Sequence, residues 1–440
     1  MFWIFIIHFI SVFLHKIEKE MKEKINVQVS SEIGELEAVI LHTPGSEVEN
    51  MTPQNAERAL YSDILNLTVA TQEYSELQQV LNKVTKTFQV KDLLFDILKN
   101  DKVRESMIHR IVQTEHLEAY EPYLLDLDNQ ELARQLIEGG MMVKNNLTRF
   151  LDPDRFSLKP LHNFFFTRDA SMTVNNKVLI GKMANKVRDR EAMIMENIFD
   201  FHPYFNIKTV NPLSFAGNTD EITIEGGDVL VAREDILLIG HGPRTTSQGI
   251  DFVIECLKNT KERRHIIVQE LPHSPESFIH LDMAFTFLDK DKCMVYEPVI
   301  LEPNRFKTIH IAIDGGKVES IKEVDNILSA LKTLGIDMEP IVCGGSKDEF
   351  TMEREQWHSG TNFFAIAPGK VIGYGRNEHT INEMNKHGFD IIKAKDVILD
   401  KVKLSDYQKF VITIEGSELA RGGGGARCMT MPIARKAVDW

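Results

Sequence analysis

Residues 225–242 read EGGDVLVAREDILLIGHG, and this stretch decides how the rest of the chain is parsed. Apolar residues run from Val229, stop at Arg233, Glu234 and Asp235, and resume at Ile236. Two apolar runs around a short polar turn are the signature of a β-hairpin. The same pattern recurs as FFFTRDASMTVNNKVLIG at 164–181, HLDMAFTFLDKDKCMVYE at 280–297 and GTNFFAIAPGKVIGYGRN at 360–377. Each hairpin precedes, closely or at some remove, a helical pattern: REAMIMENIFDF, TSQGIDFVIECLKN, VDNILSALKTLG and INEMNKHGF. A shorter echo joins ITIEGGDVLV at 222–231 to ITIEGSELAR at 412–421. Hairpin-plus-helix repeats predict an α/β fold of modules placed radially or stacked about a common axis. LEAVILHTPG at 36–45, with a C-terminal strand, supplies a fifth module.

Working outward, residues from about 75 to 150 break the repeat. SELQQVLNKV, KDLLFDILKN, VRESMIHRIVQTE and ELARQLIEGG carry apolar residues at helical spacing, which predicts an inserted helical bundle with a scaffold role. At the other end, the first fourteen residues are apolar apart from His8 and Ser11. Such a run is short for a bilayer span, and it lacks the basic start and small-residue cleavage site of a signal peptide. Residues 1–20 therefore read as an apolar extension outside the fold, and 21–440 as a single domain carrying the helical insertion.

The chain has 440 residues, a length that calls for a large core or an inserted subdomain. Its net charge of −14 makes it a poor partner for nucleic-acid phosphates or anionic lipid and suits a small, cationic substrate. Four cysteines (Cys256, Cys293, Cys343 and Cys428) show neither paired nor zinc-like spacing, which fits a reduced, cytoplasmic protein. Cys256 falls in an amphipathic helix pattern, Cys293 in a strand and Cys343 at a strand end, where a free thiol is ordinarily inert core. Cys428 differs: it follows four glycines in GGGGARCMTMP at 422–432. The apolar residues after it predict a packed, ordered loop rather than a frayed tail.

Three modules place acids or imidazole at comparable points. Arg168 and Asp169 stand at the end of an apolar strand, Glu225 at a strand end or bend, and His280 and Asp282 two apart in a strand, hence on one face. Taken singly, each has a structural explanation as a strand-end cap or packed polar residue. Together with Cys428 they make a thiol, an imidazole and three carboxylates. Thiol and imidazole supply a nucleophile and an acid/base. Carboxylates suit a planar guanidinium, whose N–H donors they accept in forked pairs.

The ordered set FTRD, EGGDVL, HLDMAFTF and GGARCMTMP resembles the arginine deiminases, from about residue 26 to the C-terminus. The resemblance implies a five-module α/β propeller with an inserted helical bundle, and hydrolysis of L-arginine to L-citrulline and ammonia without metal or organic cofactor. It implies Cys428 as the nucleophile forming an S-alkylthiouronium intermediate and His280 as general acid/base. Asp169 and Asp282 would hold the guanidinium, with Glu225 supporting both substrate and His280. Asn163, Phe166, Arg188 and Arg244 match positions that bind the amino-acid end, the two arginines clamping its carboxylate. Where many of the family carry an arginine five residues before the thiol, this chain has Gly423. Arg421 and Arg427 are the candidates to replace it, and Arg421 is taken here as a substrate-binding residue.

The resemblance also implies a homo-oligomer acting on a small molecule, with no nucleic-acid or membrane partner. Other readings stay open: an amidinotransferase or related guanidine hydrolase with the same core, a metallohydrolase built on Glu225, His280 and Asp282, and a non-catalytic arginine-binding protein. One His with scattered acids is thin for zinc. Citrulline formation from free arginine, insensitive to chelators, separates arginine hydrolysis from all three.

Overall fold

The computed structural model describes residues 24–52, 63–152, 154–214, 221–345 and 348–440; the apolar extension read at 1–20 lies outside them. The fold is mixed α/β. Its recurring unit is clearest where Val229–Arg233 pairs antiparallel with Ile236–His241 across the polar turn at Glu234 and Asp235. Helix Ser247–Lys258, capped by Thr246 Oγ1 on the N–H of Gly249, then returns the chain so that Arg264–Glu270 pairs parallel with Ile236–His241.

The other predicted hairpins form too. Ser171–Val174 pairs with Lys177–Ile180, and Asn175 turns the chain at φ +53°, a left-handed conformation that Asn tolerates. Helix Asp189–Phe201 follows, and Val210 bridges parallel to Leu179. Phe285–Phe287 pairs with Lys292–Val295, which runs parallel to Glu339–Val342 beyond helix Ile327–Thr333. Phe364–Ala367 pairs with Lys370–Tyr374, which runs parallel to Phe410–Ile414 beyond helix Glu378–Lys386. The two ends of the chain meet: Leu36–Leu41 pairs antiparallel with Met431–Arg435 and parallel with Lys86–Gln89, across helix Leu67–Val84.

The helix containing SELQQVLNKV belongs to the repeated unit, packing Leu77, Val80 and Leu81 with Phe410 and Ile412 of the C-terminal sheet. Helices Val90–Leu98, Asp101–Glu115 and Asn129–Glu138 turn apolar faces into a core shared with Met193 and Phe199 of helix Asp189–Phe201. The strand Lys86–Gln89 has a single apolar residue, Phe88, so no alternation marks it. A further hairpin, Thr308–Asp314 with Lys317–Val324, extends the sheet of Val229–Arg233 to five strands. Among the described residues no helix is long and apolar enough to cross a membrane.

Candidate active site

The segments leading into these hairpins carry the chemistry. Asp169 lies two residues before Ser171–Val174 rather than at the end of a strand, because Phe164–Asp169 is a series of turns. His280 and Asp282 likewise do not share a strand face. His280 is extended, Leu281–Met283 forms one tight helical turn, and the strand starts only at Phe285. The turn sends the two side chains to different partners.

His280 Nε2 lies 2.9 Å from Glu225 Oε2, and its Nδ1 lies 3.7 Å from Asp169 Oδ1. All three side chains are buried. Gly227 makes this approach possible, since a Cβ there would stand 2.4 Å from His280 Nδ1. Burial disfavours a charged imidazole, but Asp169, Glu225 and Asp228 outweigh it and lift His280 to about 9. Glu225 is held below the usual carboxylate range against the opposing effect of its burial, by His280 and the guanidinium groups of Arg244 and Arg188. Its Oε1 also accepts the N–H of Ala184 at 3.0 Å. Asp228 Oδ1 accepts the N–H of Leu281 at 2.8 Å and so anchors the turn after His280.

Cys428 is 3 % exposed, and its Sγ lies 3.7 Å from Asp282 Oδ2. Burial, reinforced by Asp282 and Asp169, pushes the thiol well above its usual range, while the Gly425 backbone and Arg427 pull the other way. The carbonyl of Cys428 accepts the N–H of Arg168 at 3.1 Å, tying the thiol loop to the segment that carries Asp169. Arg427 is buried: Nη1 reaches Asp282 Oδ2 at 2.7 Å, while Nε and Nη2 fork onto Glu32, each at 3.1 Å. That fork holds the Glu32 carboxyl down to about 2 although burial opposes it. Arg427 thus fixes Asp282 from behind.

The proposed clamp residues divide. Arg188 Nη1 is 2.8 Å from Asp169 Oδ2, and its Nε and Nη2 fork onto Glu191. Nη1 also stands 3.8 Å from Glu225 Oε2, and Arg244 Nη1 3.9 Å from Glu225 Oε1. Asn163 offers its carbonyl to Arg188 at 3.5 Å, and the Phe166 ring packs against Gly424. Arg421 is directed elsewhere: it is exposed and pairs with Asp63 and Glu418.

Asp169, Glu225 and His280 could offer a metal three ligand atoms within 4.8 Å of one another. The Arg188 and Arg244 guanidinium groups already place positive charge on two of them. That donor set suits a guanidinium-recognising site better than a dication.

Residues 57–435 match the sequence model of the family described as arginine deiminase. The chain belongs to the arginine deiminase family. Among its relatives, an arginine deiminase of Bacillus cereus is 32% identical over 431 residues, covering 94% of this chain and 99% of the relative. One from Mycoplasma capricolum is 32% identical, covering 95% and 99%. Among solved structures, the chain is similar in fold to SxtG, an amidinotransferase from Microseira wollei. That likeness has a TM-score of 0.53 at 15% identity and covers 94% of this chain and 98% of SxtG. It is also similar in fold to unliganded AgrE, with a TM-score of 0.51 at 13% identity over 91% of this chain and 40% of AgrE.

Sequence reasoning does not single out four residues that support this candidate site: Glu32, Glu191, Asp228 and Asn362. Asn362 Nδ2 lies 3.2 Å from Cys428 Sγ. A signal existed for it, because Asn362 stands two residues before the strand Phe364–Ala367, as Asp169 stands two before its own. Glu32 and Glu191 lie in unremarkable polar contexts, and only their burial against Arg427 and Arg188 distinguishes them.

Proposed function

We propose that the chain hydrolyses L-arginine to L-citrulline and ammonia through a covalent intermediate on Cys428. Membership in the arginine deiminase family supports the overall reaction. One geometric observation carries the route: Cys428, Asp282, Asp169 and His280 are buried together, and neither Asp169 Oδ1 nor His280 Nδ1 has a hydrogen-bond partner among the described residues. A substrate guanidinium, rich in N–H donors, satisfies both Asp169 and Asp282.

In the first half-reaction the Cys428 thiolate attacks the guanidinium carbon, forming the S–C bond. The C–N bond to one terminal nitrogen then breaks. His280 Nε2 is committed to Glu225, so Nδ1 is the working nitrogen, and it delivers the proton that lets ammonia leave. In the second half-reaction water adds to the S-alkylthiouronium carbon, Nδ1 accepts its proton, and the thiolate departs. The cationic substrate also offsets Asp282 and Asp169, which add to burial in holding the thiol protonated, so binding promotes loss of the thiol proton to solvent before attack. Arg188 and Arg244 serve the substrate carboxylate, Arg188 at the same time holding Asp169 in place. Asn163 and Phe166 complete that end of the pocket.

The four hairpin-containing units and the unit joining the two ends of the chain close, in this reading, into a five-module propeller that forms a single catalytic domain over residues 21–440. Hairpins leading from the Asp169, Glu225 and His280 segments, and the strand Met431–Arg435 leading from the Cys428 segment, support that closure, since each feeds one central site. A cytoplasmic homo-oligomer completes the proposal, and four free, buried cysteines fit a reducing compartment.

The test is turnover with arginine, agmatine and a methylated arginine in parallel, with Cys428→Ser as control. Citrulline from arginine alone, lost in Cys428→Ser, supports the reading. An unaffected Cys428→Ser enzyme removes it.

A further inference from the structure

We infer that Asn362 is a catalytic residue of this site: its side-chain amide locks the thiol loop with one end and donates a hydrogen bond to the Cys428 sulfur with the other. The inference rests on Cys428 being the nucleophile. Asn362 Oδ1 accepts two backbone N–H groups, from Arg427 at 2.9 Å and from Cys428 at 3.1 Å. Both are donors only, so the orientation of the amide is fixed: oxygen faces the loop and the NH2 faces away from it. Nδ2 then has two N–H groups to place. They point to Cys428 Sγ at 3.2 Å and to the carbonyl of Asp282 at 3.3 Å, with Met283 Sδ at 3.7 Å beside them. One planar group therefore ties together the nucleophile, the peptide that carries it and the turn that carries Asp282.

The charges around the sulfur show what the donor does. Asp282 and Asp169 repel a thiolate, Arg427 attracts one but spends its guanidinium on Asp282 and Glu32, and Tyr374 gives its hydroxyl proton to the carbonyl of Gly424. His280 is turned to Glu225 and Asp169. Asn362 is a neutral donor aimed at the sulfur itself, so it favours S− over S–H without drawing the substrate cation's carboxylates away. It acts again when the thiolate departs from the intermediate. The glycine run fits the same account, because a Cβ at Gly425 would stand 2.7 Å from Asn362 Cβ.

Asn362→Asp is the discriminating variant. It keeps an oxygen for the two loop N–H groups and replaces the donor with an acceptor. In the whole chain, the thiolate absorbance titration of Cys428, with Cys428→Ser as blank, should move up by at least one pH unit. The kcat for arginine should fall at least a hundredfold, with the melting temperature held within a few degrees. Asn362→Ser, which adds no charge, should move both readouts in the same direction, with KM changing less than threefold. An unmoved titration with near-parental kcat in either folded variant overturns the inference. So does loss of folding in both variants, which would make the amide a structural tie alone. Citrulline production by Cys428→Ser would instead fail the nucleophile assignment, whatever Asn362 does.

Discussion

Arg427 Nη1 stands 2.7 Å from Asp282 Oδ2, the same oxygen that lies 3.7 Å from Cys428 Sγ. The residue before Cys428 thus orients the acid in front of the thiol, and Asp282 is shared between Arg427 and the sulfur. Removing one partner of a buried ion pair leaves the other charge uncompensated, which costs about 3–5 kcal/mol. Arg427→Met should lower folding stability by about that amount and abolish turnover; urea denaturation checks the first and citrulline release the second. Because Glu32 is the other orphan, Arg427→Met with Glu32→Leu should recover part of the stability but none of the activity.

The glycine loop separates strain from crowding. Gly423 has φ +85° with open space around a Cβ, whereas at Gly425 a Cβ would meet Asn362 Cβ at 2.7 Å and Oδ1 at 2.8 Å. Gly423→Ala should therefore cost only the left-handed penalty of about 1–2 kcal/mol and retain catalysis. Gly425→Ala should displace Asn362 and lose most of kcat. Steady-state kinetics beside thermal melts distinguish the two, and equal loss of activity in both would contradict the assignment.

Protonated His280 contributes to stability with a definite sign. Its folded pKa, about 9, lies above the ordinary value of about 6.5, so the contribution is fully present below about pH 6.5 and is lost as pH rises through about 9. The wild-type advantage over His280→Asn in urea midpoint should shrink between pH 6.5 and pH 9.5. A gap that stays constant or widens would mean that the imidazole is not held protonated by Glu225, Asp169 and Asp228.

Arg244 stands 3.9 Å from Glu225, whereas Arg188 is bound at 2.8 Å to both Asp169 and Glu191. Arg244→Leu should raise KM for arginine about thirtyfold, the equivalent of about 2 kcal/mol for charge-assisted contacts to a carboxylate, and leave turnover of agmatine unchanged. Arg188→Leu should lower kcat as well, since Asp169 loses its support. Kinetics with both substrates check the distinction.

Much of this was legible in the sequence because hairpins announce themselves through period-two alternation around polar turns, as at Val229–His241. The helices at Val90–Leu98 and Asn129–Glu138 were equally plain. What stayed hidden followed from tertiary pairing. Lys86–Gln89 is a strand only because Leu36–Leu41 pairs with it, with helix Leu67–Val84 connecting the two. Two-residue spacing predicts one strand face for His280 and Asp282, yet the Leu281–Met283 turn separates them and gives each its own partner. Arg421 and Arg427 could not be told apart by spacing; burial distinguishes them, one exposed on Asp63 and the other enclosed by Glu32 and Asp282.

The covalent step is tested most directly by rapid acid quench of the wild-type chain mixed with L-arginine, followed by mass analysis of the peptide carrying Cys428. The account predicts a transient adduct on Cys428 equal in mass to arginine less ammonia, formed before citrulline appears and absent from Cys428→Ser. Steady citrulline production with no adduct on Cys428 at any quench time, together with turnover by Cys428→Ser, would contradict it.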